Sequence, residues 1–142
     1  MQLATICLFA SACVIGLMGL AHLFYTFHGN KFDPRDAALT LALQRVSPVI
    51  SRQTTMARAA KGFHASHSLG ALLFSLVYGY LAWYQGGLLQ QSGFLRLLGL
   101  AVLLAYLALA QRYWFRVPLL GIGAATALYA GGLVGGSVGG LL

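Results

Sequence analysis

Residues 31–61 read KFDPRDAALTLALQRVSPVISRQTTMARAAK and hold eight of the eleven charged side chains of the chain. The rest of the 142 residues is close to uninterrupted apolar sequence, and glutamate is absent throughout. Only 8% of the residues are charged, whereas a soluble domain carries about 25%. Because so few charges cannot cover the surface of a soluble domain, this composition predicts a protein that lies in a lipid bilayer.

The apolar sequence divides into four segments of membrane length. A bilayer core about 30 Å thick needs about 20 apolar residues in a helix. The four segments are 3–27, 63–84, 94–115 and 117–141. The first lacks the basic flank of a secretory signal and is too long for one, so we expect it to be retained. The sequence therefore predicts an all-α membrane protein, with residues 1–142 forming one four-helix transmembrane bundle.

The basic residues are distributed unevenly over the connections. Six Lys and Arg side chains lie in the loop 28–62 and two in the connection 112–117, whereas the opposite side has only Arg96. Because Lys and Arg favour the cytoplasmic side, we expect both connections to be cytoplasmic and both termini to lie outside. The basic loop also suits anionic lipid headgroups as partners. It has no long basic run interleaved with aromatic residues, so a nucleic-acid partner is not expected.

The long loop has the pattern of a short helix. Asp33-Pro34-Arg35-Asp36 predicts a helix start with Asp33 as N-cap and Pro34 in the first helical position. Apolar residues then recur at helical spacing, at Leu39, Leu43 and Val46. Ser47-Pro48 ends the pattern. We expect an amphipathic helix at the inner membrane interface, with the next helix beginning near Thr54 or Thr55.

The fourth segment carries two columns of glycine at four-residue spacing. Small residues spaced in this way let helix backbones approach closely in lipid. The columns are Gly131, Gly135 and Gly139, and Gly132, Gly136 and Gly140. Two interpretations stay open: tight packing within the bundle, or an interface for a second copy or for a partner membrane protein.

Histidines flank the charged stretch and indicate a candidate site. His22 and His67 lie roughly 6–8 Å inside the cytoplasmic boundary of their segments, and His64 is nearly one turn closer to the cytoplasm than His67. Ionisable residues within membrane segments mark functional sites by default. The candidate ligand-binding residues are His22, Tyr25, His64, His67 and Ser68, with Arg58 and Lys61 at the mouth of the site.

Four interpretations of these histidines stay open. They can be neutral residues that hydrogen-bond between helices, or they can hold the polar head of an amphiphile. They can also bind haem through His22 and His67, or zinc or copper through two or three imidazoles. The spacing H-x-x-H is unspecific and the segments contain no carboxylate to orient a ligand. No resident cofactor or metal is therefore predicted.

The sequence excludes some activities and leaves others open. No phosphate-binding loop, serine-nucleophile motif or HExxH motif is present. Proton-coupled pumps rely on buried acidic residues, and both acidic residues here lie in the loop. We expect a protein that binds a lipid-like or quinone-like amphiphile or serves as an accessory membrane subunit. The alternative is a membrane oxidoreductase that uses the histidines to hold haem or a metal.

Four short segments also resemble a known family. They are HLFYTF at 22–27, KFDPRD at 31–36, SPVISRQTTM at 47–56 and GFHASHSLG at 62–70. Together they resemble an uncharacterised family of small four-helix bacterial inner-membrane proteins, and the resemblance covers about the first 80 residues. It implies a location in the bacterial inner membrane and no known activity.

Overall fold

A computed structural model describes residues 3–139 of the chain, and this part contains six α-helices and no strand. The helices are α1 (Leu3–Phe27), α2 (Ala37–Arg45), α3 (Met56–Tyr84), α4 (Gly86–Gln91), α5 (Gly93–Tyr113) and α6 (Arg116–Gly139). Helices α1, α3, α5 and α6 are long and apolar enough to cross a membrane. The all-α class and the four membrane-length helices are thereby confirmed.

Helix α3 extends well beyond the apolar segment 63–84 that hydropathy indicates. It begins at Met56, close to the start expected near Thr55, and has 29 residues. At 1.5 Å per residue it is about 43 Å long, whereas the hydrocarbon core is about 30 Å thick. This excess length leaves room for the first turns of α3, which carry Arg58 and Lys61, outside the hydrocarbon.

The loop contains the expected helix, but its predicted start was wrong. The N-cap of α2 is Asp36, whose Oδ1 accepts hydrogen bonds from the amides of Ala38 at 2.8 Å and Leu39 at 3.3 Å. Asp33 lies in the preceding turn, where its amide donates to the carbonyl of Asn30. Both aspartates meet the sequence rule for a cap, and only the later one reaches the free amides of the helix.

The chain divides into two compact units. The bundle unit comprises Met1–Met18 and Ala71–Leu142, as far as these ranges are described, and the loop unit comprises Gly19–Gly70. Helices α1 and α3 contribute residues to both units, whereas α2 lies wholly in the loop unit. Helices α4, α5 and α6 lie in the bundle unit, where they pack against one another.

The core of the bundle unit is built from all four long helices. It includes Leu8, Ala12, Ile15, Phe74, Tyr78, Leu103, Ile122, Ala125 and Tyr129. The opposite faces of the same helices are also apolar: Leu76, Leu97 and Leu120 are each about 70% exposed. Leucines exposed on every helix are costly in water but not in lipid, so the arrangement fits a protein whose solvent is the membrane.

The glycine columns of α6 do not share one environment. A Cβ atom on Gly132 would lie 2.6 Å from Cγ of Leu8, and one on Gly136 would overlap the side chain of Gln90. A Cβ atom on Gly135 would make ordinary contact with Ala4 at 3.7 Å, whereas one on Gly131 would meet nothing within 4 Å. Gly132 and Gly136 therefore pack inside the bundle unit.

The other glycines of the two columns have different positions. Gly139 is the last described residue of the helix, and Gly140 lies outside the described residues. Gly131 lies on the exposed face of α6. An interface at this face with a second copy or a partner membrane protein stays a prediction.

Candidate functional site

The loop unit begins where α1 ends in a tight turn. The amide of His28 donates to the carbonyl of Phe24 at 2.9 Å and closes the last turn of the helix. Gly29 follows with φ of +85°, a left-handed conformation that glycine adopts without steric cost. This turn ends α1 and leads into Phe32 and Asp33, two residues of the site.

Three of the four histidines meet in the loop unit. Nε2 of His22 and Nδ1 of His64 are 3.2 Å apart and share a hydrogen bond. The ring of His67 meets that of His22 edge to face, with centroids 5.2 Å apart. The fourth histidine, His28, stacks instead on Phe24 at 4.6 Å. The three histidines that sequence placed inside membrane segments thus form one cluster.

Phe32 covers this cluster from the loop. Its ring lies almost parallel to that of His64, at 12° and 4.5 Å between centroids, and also 4.5 Å from the ring of His22. The sequence gives no periodic signal for this contact, because Phe32 lies outside the helices. Phe32 lies in the segment KFDPRD at 31–36, which carries part of the family resemblance, and this resemblance is the sequence signal that could have indicated it.

A cavity of about 220 Å³ lies between the end of α1, the turn after it, α2 and the beginning of α3. Its walls include polar side chains from all four parts: Tyr25, Asp33, Thr40, Gln44, Lys61 and His64. The hydroxyl of Thr40 donates to the carbonyl of Asp36, the N-cap of its own helix, at 3.0 Å. The other five side chains present two charges, an imidazole, an amide and a phenol to the cavity.

The predicted site residues differ in their position relative to the cavity. Tyr25, Lys61 and His64 line the cavity. His22 and His67 do not line it: His22 is hydrogen-bonded to the lining residue His64, and His67 contacts His22.

The other two predicted residues have different surroundings. Ser68 is fully buried and its hydroxyl donates to the carbonyl of His64 at 2.9 Å. Arg58 is exposed, its amide donates to Oγ1 of Thr55, and it is not among the residues that line the cavity. Asp33, Thr40 and Gln44 line the cavity but were not predicted, because their position depends on how the loop folds back.

The histidine pair gives the cavity an adaptable hydrogen-bonding group. A bond between two imidazole nitrogens needs one donor and one acceptor. When Nε2 of His22 donates, Nδ1 of His64 accepts and Nε2 of His64 carries its proton. When Nδ1 of His64 donates instead, its Nε2 is an acceptor. His64 can therefore meet either a donor or an acceptor in the cavity.

The same geometry bears on haem and metal ions. Among the residues that the structure describes, no group of three or more His, Cys, Asp or Glu side chains is placed to hold a metal ion. The two axial ligands of a haem iron lie on opposite faces of the porphyrin. Because the rings of His22 and His67 are in direct contact, they would have to separate before a porphyrin could lie between them.

All four segments that resemble the bacterial membrane family lie in the loop unit, and they supply Tyr25, Phe32, Asp33 and His64 to the cavity. Membership of that family stays a prediction. Comparison of the chain with protein-family models, with curated proteins and with solved structures gives no match.

Proposed function

We propose that this protein is a multi-pass protein of the bacterial inner membrane that binds the polar head of a lipid-like or quinone-like amphiphile. The observation that carries the proposal is the polar cavity of the loop unit, beside the histidine cluster. Ligand sites of this kind pair a shaped recess with a small number of convergent polar groups.

The location of the cavity along the helices supports an amphiphile rather than a soluble ligand. Tyr25 lies two residues before the end of α1, and Lys61 lies in the second turn of α3. Both are therefore at the ends of membrane-length helices, the level at which lipid headgroups lie. The excess of Lys and Arg in residues 28–62 assigns this end to the cytoplasmic side.

The size of the cavity and its surroundings fit a head with an apolar tail outside. A volume of about 220 Å³ is below the range of about 300–1,000 Å³ found for drug-sized ligands, so it suits a headgroup and not a whole lipid. Phe24 and Phe63 in the same unit are 56% and 79% exposed. They offer apolar surface along which a tail can lie.

Filling the cavity tests the proposal. Ala60 lines the cavity and Ala59 does not, although both are exposed on α3. We expect the purified protein to retain a stoichiometric amphiphile, measured by mass spectrometry of a solvent extract. Ala60→Phe should reduce the retained amount several-fold, because the ring occupies the space of the head, and Ala59→Phe should leave it unchanged.

Two results would contradict the proposal. One is wild-type protein that carries no amphiphile beyond the bulk composition of the membrane. The other is an Ala60→Phe variant that retains as much as wild type while keeping its helical circular dichroism spectrum.

A further inference from the structure

Two opposite charges line the cavity of the loop unit. Lys61 enters from α3 and Asp33 from the turn before α2. The chain has nine basic side chains and only two carboxylates, Asp33 and Asp36. Asp36 is held by two amides at the start of α2. The other carboxylate of the chain therefore lies at the site where a ligand would bind.

This pair of charges restricts the head that the cavity can accept. A purely anionic head would be attracted by Lys61 but repelled by Asp33. A purely cationic head would be attracted by Asp33 but repelled by Lys61. A neutral head would gain no charge attraction from either side chain. A head with one positive and one negative group satisfies both side chains.

We propose that the cavity selects a phospholipid head that carries a primary ammonium and a phosphate. This inference rests on the proposed function and names its ligand class. Lys61 binds the phosphate and Asp33 binds the ammonium. Lys61 lies near the beginning of α3, a membrane-length helix, and lipid headgroups lie at the level of such helix ends.

The other polar groups of the cavity favour a primary ammonium over a trimethylated one. A primary ammonium has three N–H donors. Asp33 can accept one, and Gln44 and Tyr25, whose side chains each carry an acceptor oxygen, line the same cavity. A trimethylammonium group is larger and donates no such hydrogen bond, so it gains only charge attraction.

The test compares headgroups on one acyl background. Wild-type protein is placed in nanodiscs with equal amounts of phosphatidylethanolamine, phosphatidylglycerol and phosphatidylcholine, and bound lipid is counted by native mass spectrometry. We expect phosphatidylethanolamine to exceed phosphatidylglycerol by about fivefold, as one favourable exposed charge contact allows. It should also exceed phosphatidylcholine, because only the primary ammonium donates hydrogen bonds.

Single charge removals assign the two roles. Asp33→Asn should abolish the preference for phosphatidylethanolamine over phosphatidylglycerol, and Lys61→Gln should reduce binding of all three phospholipids. Asp36→Asn is the matched control for the carboxylate, because asparagine also caps helices. Arg58→Gln is the matched control for the cation, because Arg58 lies one turn from Lys61 but does not line the cavity.

The outcomes separate this inference from the proposed function. If wild type retains lipid in the cavity, as judged by loss in Ala60→Phe, but shows no headgroup preference, the inference fails and the proposed function stands. If Asp33→Asn leaves the preference intact, the inference also fails. If the purified wild-type protein retains no amphiphile of any kind, both fail.

Discussion

Gly99 creates the space for a pair of buried tyrosines in the bundle unit. The hydroxyl of Tyr78 donates to the carbonyl of Leu95 at 2.8 Å, and that of Tyr129 donates to the carbonyl of Arg96 at 3.3 Å. A Cβ atom on Gly99 would lie 2.6 Å from Cε1 of Tyr78 and 2.7 Å from Cζ of Tyr129. Both rings are at least 95% buried, so neither can move aside freely.

Gly99→Ala should therefore destabilise the protein. Overpacking a tight site costs about 1–3 kcal/mol, and replacing glycine by alanine in a helix returns up to about 1 kcal/mol. We expect a net loss of about 1–2 kcal/mol in the free energy of unfolding, measured by denaturant unfolding in a mild detergent. Gly123→Ala is the control, since its Cβ would meet only Leu107 at 3.9 Å. A Gly99→Ala variant as stable as wild type would contradict this account.

Single residues also show which parts of the candidate site can be predicted from the sequence and which cannot. The matching depths of His22 and His67 followed from counting residues along two membrane segments, because helix rise is regular. The contacts of Phe32 and Asp33 depend on the path of the chain through the turn at Gly29. No periodicity in the sequence describes that path, so neither residue was predicted to belong to the site.

The long helices were predicted from sequence because apolar length is a local property. Within the described residues, helices α1, α3, α5 and α6 match the four apolar segments to within two residues, apart from the extra turns at the start of α3. The predicted end of the fourth segment at 141 lies outside the described residues. Helix α4 has only six residues, too few for a hydropathy or periodicity signal. The start of α2 was misplaced because the choice between Asp33 and Asp36 as the cap depends on three-dimensional geometry.

The end of α1 depends on the left-handed turn at Gly29, which also lines the cavity. Placing a Cβ atom in this conformation costs about 1–2 kcal/mol. Gly29→Ala should therefore lower the free energy of unfolding by that amount, measured in the same denaturant assay, and Gly29→Asn should lower it less because asparagine tolerates the conformation.

Gly62 provides the matched control in the same unit. It lies inside α3, and a Cβ atom there would meet nothing within 4 Å. Gly62→Ala should raise stability by up to about 1 kcal/mol through helix propensity. If Gly29→Ala and Gly62→Ala shift stability in the same direction, the role assigned to the turn is incorrect.

For the whole molecule, the distribution of basic residues predicts the orientation in the membrane. Gln53 lies in the basic loop before α3, and Gln91 is the last residue of α4, which follows α3 in the chain; both are exposed. In a background with Cys7 and Cys13 replaced by alanine, Gln91→Cys should react with a membrane-impermeant maleimide from the periplasmic side. Gln53→Cys should react only after the inner membrane is opened. The reverse labelling pattern would overturn the predicted orientation.

The scarcity of acidic residues has a practical consequence for the unmodified protein. Carbodiimide coupling to an amine probe is directed at carboxylates, and the chain offers it only two such side chains, Asp33 and Asp36. Asp33 lines the cavity, whereas Asp36 accepts hydrogen bonds from the amides of Ala38 and Leu39. The ratio of probe on these neighbouring positions, read from a single peptide, is a footprint of cavity occupancy with an internal standard three residues away.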